Sequence, residues 1–297
     1  MKGTARIGIS GWRYPPWRGV FYPKGLRQAD ELIYASRSVD SIEVNGSFYS
    51  LLHKTAVLRW REEVPPGFLF AVKGSRFITH MKRLGDVRVP LANFFASGVL
   101  AFEETLGPIL WQLPPQLAFD ESRIAAFLEL LPKTTRDALK LARQHDERIA
   151  GRDYLQTAKN RPLRYAVEAR HPSFAHPAFC RLLRAHDIAM CVADTAGVHP
   201  MFEDVTASFV YVRLHGATEL YASGYSRRLL GKWAARIEPH LAEGRDVYVY
   251  FDNDARVRAP FDARALRAIL RGEKCEPLPR GIRRAGESPR TAWPMGW

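Results

Sequence analysis

The chain is poor in cysteine, in lysine and in long apolar runs, and each shortage removes a class of protein. Its three cysteines, Cys180, Cys191 and Cys275, are odd in number and far apart. That excludes a disulfide framework and a short-spaced zinc site, and a reducing, cytoplasmic compartment is the expectation. No uncharged run approaches the roughly 18–20 apolar residues of a membrane span. The longest candidate, 105–119, is broken by Pro108, Pro114 and Pro115. No signal-peptide pattern opens the chain, since residues 1–10 pass directly into a strand-like run. A dinucleotide fingerprint is missing too. Gly8, Gly11 and Gly19 are too widely spaced, with bulky Trp12, Tyr14 and Trp17 between them. Nor is an activated nucleophile in view: Ser10 lacks an elbow motif and Cys191 lies inside an apolar strand.

What is present is the balance of a globular chain with a sizeable core, 46% apolar and 25% charged over 297 residues. The net charge of +13 favours anionic partners, with nucleic acid the leading candidate and an anionic small molecule the other. The basic residues are scattered, however. Arginine outnumbers lysine by 34 to 10, which base composition of the genome explains as readily as function does. Oligomeric state is left open.

Eight short apolar runs recur, at 5–10, 39–45, 68–73, 108–112, 164–168, 188–193, 209–214 and 247–251. Most are nearly all apolar, as strands covered on both faces are. Helical patterns follow most of them, at 30–37, 55–63, 90–102, 121–131, 178–185, 226–241 and 260–270. The sixth unit is irregular, with 195–204 reading as a loop. This alternation predicts an α/β fold, a single-domain (β/α)8 TIM-type barrel, rather than an open doubly wound sheet. The barrel is expected over 1–272, with an insertion around 133–162 that carries an extra helix at 134–150. A Pro/Arg-rich tail covers 273–297, either disordered or docked by Trp293 and Trp297.

In such a barrel the active site lies at the carboxyl ends of the strands. Those ends carry Trp12, Glu43 and Asn45, Lys73 with His80 beyond it, Gln112, Glu168 with Arg170 and His171, Asp194, Arg213 with His215, and Asp252 to Asp254. Tyr49, Tyr221 and Tyr225 stand just beyond. Glu43 and Asn45, Glu168 and Arg170, and Arg213 and His215 share parity and can point inward together. Three readings stay open. Glu43, Glu168, Asp194, His215 and Asp252 could ligate a divalent metal as cofactor, although no short local spacing supports it. Glu43 and Glu168 could form a metal-free acid/base pair. Or the carboxylates only neutralise Arg170 and Arg213 in a structural lattice. The aromatic residues beside the cations suit stacking on bases or sugars, or plain packing of the loops.

The ordered succession of these motifs is similar to one family. Gly8-Ile9-Ser10-Gly11-Trp12, Glu43-Val44-Asn45 with Phe48-Tyr49, and Phe70-Ala71-Val72-Lys73 with Thr79-His80 carry the resemblance. So do Gln112-Leu113-Pro114, Glu168 with Arg170-His171-Pro172, Arg213-Leu214-His215-Gly216, and Tyr248-Val249-Tyr250-Phe251 with Asn253. The chain resembles the YecE-like family, also called domain of unknown function 72, from about residue 7 to about 270. The resemblance implies a (β/α)8-type barrel and assigns no reaction.

These readings combine into one expectation: an enzyme acting on an anionic, phosphate-bearing ligand, with nucleic acid among the candidates. The reaction would be metal-assisted or general acid/base hydrolysis. The catalytic candidates are Glu43, Glu168, Asp194 and His215. The ligand-binding candidates are Trp12, Asn45, Tyr49, Lys73, His80, Gln112, Arg170, His171, Arg213, Tyr221, Tyr225 and Asn253. The alternatives are a non-catalytic nucleic-acid-binding protein and a barrel that processes a small molecule or carbohydrate.

Overall fold

A computed structural model describes residues 2–279 and 282. Eight parallel strands pair in chain order and close on themselves, β8 against β1. They are β1 (Ala5–Ser10), β2 (Ser41–Val44), β3 (Leu69–Lys73), β4 (Leu106–Gln112), β5 (Tyr165–Glu168), β6 (Ala189–Asp194), β7 (Phe209–Leu214) and β8 (Asp246–Phe251). The helices are α1 (Glu31–Ser38), the short α2 (Gly46–Tyr49), α3 (Lys54–Glu63), α4 (Arg88–Ala96) and α5 (Glu121–Leu130). They continue with α6 (Thr135–Ala142), α7 (Pro177–Ala185), α8 (Arg227–Ala242) and α9 (Ala259–Leu270). The expected (β/α)8 barrel is the observed fold. Among the described residues, no helix is long and apolar enough to cross a membrane.

Alternation along each strand sorts the core into two shells. Odd positions of β1 and β8, such as Ile7, Ile9, Val249 and Phe251, join the large cluster under the helices. The other parity fills the bore. There, alanines of β3, β5 and β6 (Ala71, Ala166, Ala193) face Tyr211 and Tyr250 from β7 and β8. Small side chains on one wall leave room for large ones on the other, so the bore is packed rather than hollow.

Two expected helices differ from the sequence reading. The pattern at 90–102 is split: α4 stops at Ala96, and a separate 3-10 segment runs Val99–Thr105. Gly98, at φ +143°, makes the break, and a Cβ there would lie 3.2 Å from the Lys54 amide. The extra helix at 134–150 is shorter than expected. It covers α6, whose Thr134 caps the Asp137 amide, and then a single turn at Glu147–Ile149 capped by Asp146. The start of the tail lies along α8, where Arg227 donates to the carbonyls of Cys275 and Glu276. Trp293 and Trp297 lie outside the described residues.

Candidate active site at the carboxyl rim

Arg213 comes up the inner face of β7 and is fully buried. Its guanidinium gathers three carboxylates from three other strands. Nη2 donates to Glu43 Oε1 at 2.7 Å and to Asp252 Oδ2 at 2.9 Å, and Nη1 donates to Glu168 Oε2 at 2.8 Å. Each partner is fixed in turn. Glu43 accepts from Ser10 Oγ at 2.9 Å and from the Tyr211 hydroxyl at 2.6 Å. Glu168 Oε1 accepts from Gln112 Nε2 at 2.9 Å and from Arg170 Nε at 2.7 Å. Burial alone would raise the Glu168 carboxyl, but Arg170 and Arg213 outweigh it and hold it well below the ordinary carboxylate range. His215 is buried with Nε2 3.3 Å from Arg213 Nη1, and Nδ1 is 3.0 Å from Asp252 Oδ2. Burial and the Arg213 charge push its pKa down, although Asp252 pulls the other way.

The donor set does not fit a divalent cation. The oxygens of Glu43 and Glu168 already accept from Ser10, Tyr211, Gln112, Arg170 and Arg213, and the guanidinium stands where the carboxylates converge. Among the described residues, no three His, Cys, Asp or Glu side chains are grouped to hold a metal ion.

Lys73 is different. It ends β3, is only 8% exposed, and its Nζ sits 4.2 Å from the centroid of Phe48. Among the described residues, no acceptor stands within hydrogen-bond or ion-pair reach of that ammonium. Burial, then the Arg213 charge, lower its pKa to about 8, although Asp252, Glu43 and Glu168 pull the other way. A fall of that size disfavours the charged form by about 3 kcal/mol. Arg170 shares the condition in part, because its Nη2 is buried with no partner. His80 lies against Phe48, ring centroids 5.0 Å apart, and its Nδ1 is 2.8 Å from Thr79 Oγ1. Burial, helped by Lys73 and Arg170, lowers its pKa to about 4. Gly74 allows Lys73 its place: a Cβ there would fall 2.1 Å from the Trp111 ring.

A second carboxylate group lies where β8 leaves the sheet. Asp254 is raised to about 7 by burial and by the neighbouring Asp252 charge. Asp252 itself is held low: burial opposes this, but Arg213 and His215 prevail. The Tyr14 hydroxyl lies near the Asp254 side chain and donates to the Ser10 carbonyl at 2.5 Å. Gly11, at φ +79°, turns the chain after β1 so that Tyr14 folds back, and a Cβ there would be 2.8 Å from the Tyr14 hydroxyl.

The rim therefore gathers Glu43, Lys73, His80, Gln112, Glu168, Arg170, Arg213 and His215. Asn45 lies at its edge beside Tyr14, with Oδ1 buried and unpartnered. Tyr49 and Tyr221 flank it, 62% and 37% exposed. Five candidates are placed elsewhere. Trp12 packs edge-on against Trp60 at 5.0 Å, under α3. Asp194 accepts from the Tyr225 hydroxyl at 3.0 Å and follows the outward parity of Leu214. Asn253 Nδ2 donates to Asp262 at 2.8 Å and to the Ser223 carbonyl. His171 is engaged with Ser173, whose amide it caps. Tyr14, Tyr211 and Asp254 belong to the site but not to the expected catalytic or binding set, and Asp252, expected only as a metal ligand, pairs with Arg213 instead. Tyr211 and Asp252 were within reach of the alternation argument, sharing parity with Arg213 and Tyr250.

A family model described as "Protein of unknown function DUF72" matches residues 6–283. The chain belongs to the DUF72 family. Solved DUF72 structures agree with the barrel. One from Thermotoga maritima has a TM-score of 0.72 at 24% identity, covering 90% of this chain and 99% of that one. One from Enterococcus faecalis has a TM-score of 0.68 at 16% identity, covering 92% and 98%. At these identities the likeness shows the fold of the DUF72 barrel and nothing about its chemistry. Comparison of the sequence with curated proteins finds no match.

Proposed function

We propose that this DUF72 barrel is an enzyme that binds a small phosphate-bearing anion on Lys73 and Arg170 and transfers protons through Asp254. One observation carries the reading: Lys73, only 8% exposed and without an ion pair among the described residues, shares the rim with Arg170, whose Nη2 is buried with no hydrogen-bond partner. Unpaired buried charge is costly, and an arriving anion relieves that cost at both groups. Glu43 and Glu168 hold Arg213 in place and keep the rim polar but saturated. The proton-transfer role passes to Asp254, the carboxyl with an affinity near neutrality, and Asp252 is the neighbour whose charge reaches both it and Lys73. Hydrolysis of a phosphate ester suits this set. Asp254 takes a proton from the water that attacks phosphorus, the P–O bond to the ester alcohol breaks and its oxygen receives that proton, while Lys73 and Arg170 meet the charge that develops on the phosphoryl oxygens. Neutral His80 and Asn45 orient the ligand. Three free cysteines suit the reducing, cytoplasmic setting expected from the sequence.

The test is calorimetric titration of inorganic phosphate and pyrophosphate into the wild type and Lys73→Met. Removing one charge-assisted contact should weaken binding about 10- to 100-fold. Equal affinity in the variant contradicts the assignment.

A further inference from the structure

The cation site is bracketed by two tyrosines whose rings are open to solvent, and they differ from the other aromatic residues of the rim. Phe48 lies under the Lys73 ammonium, and Tyr49 stands edge-on to Phe48, 5.0 Å away at 88°. The Tyr49 centroid is therefore no farther from Lys73 Nζ than 4.2 Å and 5.0 Å laid end to end. Arg76 rests 5.3 Å from the same ring. Tyr221 stands edge-on to His215 at 5.4 Å, near the Arg170 charge. Its backbone is left-handed, at φ +62°, a strained state for a bulky residue. Plain loop packing does not call for a ring that is 62% exposed, held upright by an edge contact and partnered by a cation. A planar ligand does, because stacking needs a free face and a guanidinium beside it strengthens the contact.

We infer that the ligand is a nucleoside phosphate, its phosphate on Lys73 and Arg170 and its base on Tyr49. This rests on the anion site proposed above and adds the substrate class. The same chemistry is offered by a free mononucleotide and by the phosphorylated end of a single strand. Sequence preference is not expected, since every base has a stackable face.

The experiment titrates inorganic phosphate, a nucleoside, a nucleoside 5′-monophosphate and a 5′-phosphorylated tetranucleotide into the full chain by calorimetry. The monophosphate should bind about ten-fold tighter than inorganic phosphate. That advantage should fall to two-fold or less in Tyr49→Ala and persist in Tyr49→Phe, which keeps the ring. The Tyr49 side chain is exposed, so neither change threatens folding. A tetranucleotide that binds tighter than the monophosphate identifies the strand end as the source, and equal binding identifies the free nucleotide. A monophosphate no tighter than inorganic phosphate overturns the inference while leaving the anion site standing. No binding of inorganic phosphate at all removes the anion site itself.

Discussion

The two ends of the bore each hold an arginine, and they solve the problem of its charge in different ways. At the amino end Arg164 meets one carboxylate, Asp246, at 2.7 Å, and the Tyr248 hydroxyl at 2.8 Å. It lies over Phe209 and keeps 38% of its side chain exposed. Its need for acceptors is met and water screens the rest. At the carboxyl end Arg213 is wholly buried among three carboxylates, and two further cations, Arg170 and Lys73, stand beside them. Three carboxylates face three cations there, yet Lys73 touches none of them. A closed plug leaves nothing unsatisfied. The carboxyl rim leaves Arg170 Nη2 buried and unpartnered, and the proposed function rests on that difference.

The largest expected effect breaks the comparison at its two arginines. Arg213→Met strands three buried carboxylates and should cost about 3–5 kcal/mol, a fall in Tm of roughly 10 °C. Arg164→Met should cost about 1 kcal/mol or less, because its ion pair is partly solvated. Thermal and denaturant unfolding of the two variants measure the difference, and equal losses would erase the distinction between the ends.

Asp254 gives a smaller, pH-resolved effect. Its folded pKa of about 7 lies above the ordinary 3.8. The stability it contributes is therefore full below the ordinary value and is lost as pH rises through about 7. Asp254→Asn should remove most of that slope, gaining about 1–2 kcal/mol over the wild type at pH 8 and little at pH 4. Hydrolysis of bis(p-nitrophenyl) phosphate should fall at least about 100-fold in the same variant. Urea unfolding at the two pH values reads the first part and steady-state rates the second. A slope unchanged by the substitution would contradict the assigned environment of Asp254.

Much of the barrel was legible because its signals are local. Strand runs such as 5–10 and 209–214 coincide with β1 and β7, since a buried parallel strand is written as continuous apolar residues. The inward set Glu43, Glu168 and Arg213 followed from alternation alone. Alternation also explains two misplacements. Asp194 pairs with outward Leu214 rather than inward Arg213, and Asn253 continues the outward parity of Phe251. That Tyr14 and Asp254 come together was beyond reach for another reason. They meet across loops after β1 and β8, and only the turn at Gly11 brings the phenol back over the strand end. Nor does any local pattern reveal that Lys73 lacks a counterion, because that depends on where seven other strands put their carboxylates.

The most direct measurement is an NMR pH titration of Lys73 in protein with isotopically labelled lysine ε-carbons, with and without inorganic phosphate. The account predicts an ammonium that titrates at about 8 in the free protein and at higher pH with phosphate bound, because the anion stabilises the charged form. An ordinary lysine titration near 10.5 that phosphate does not move would contradict it.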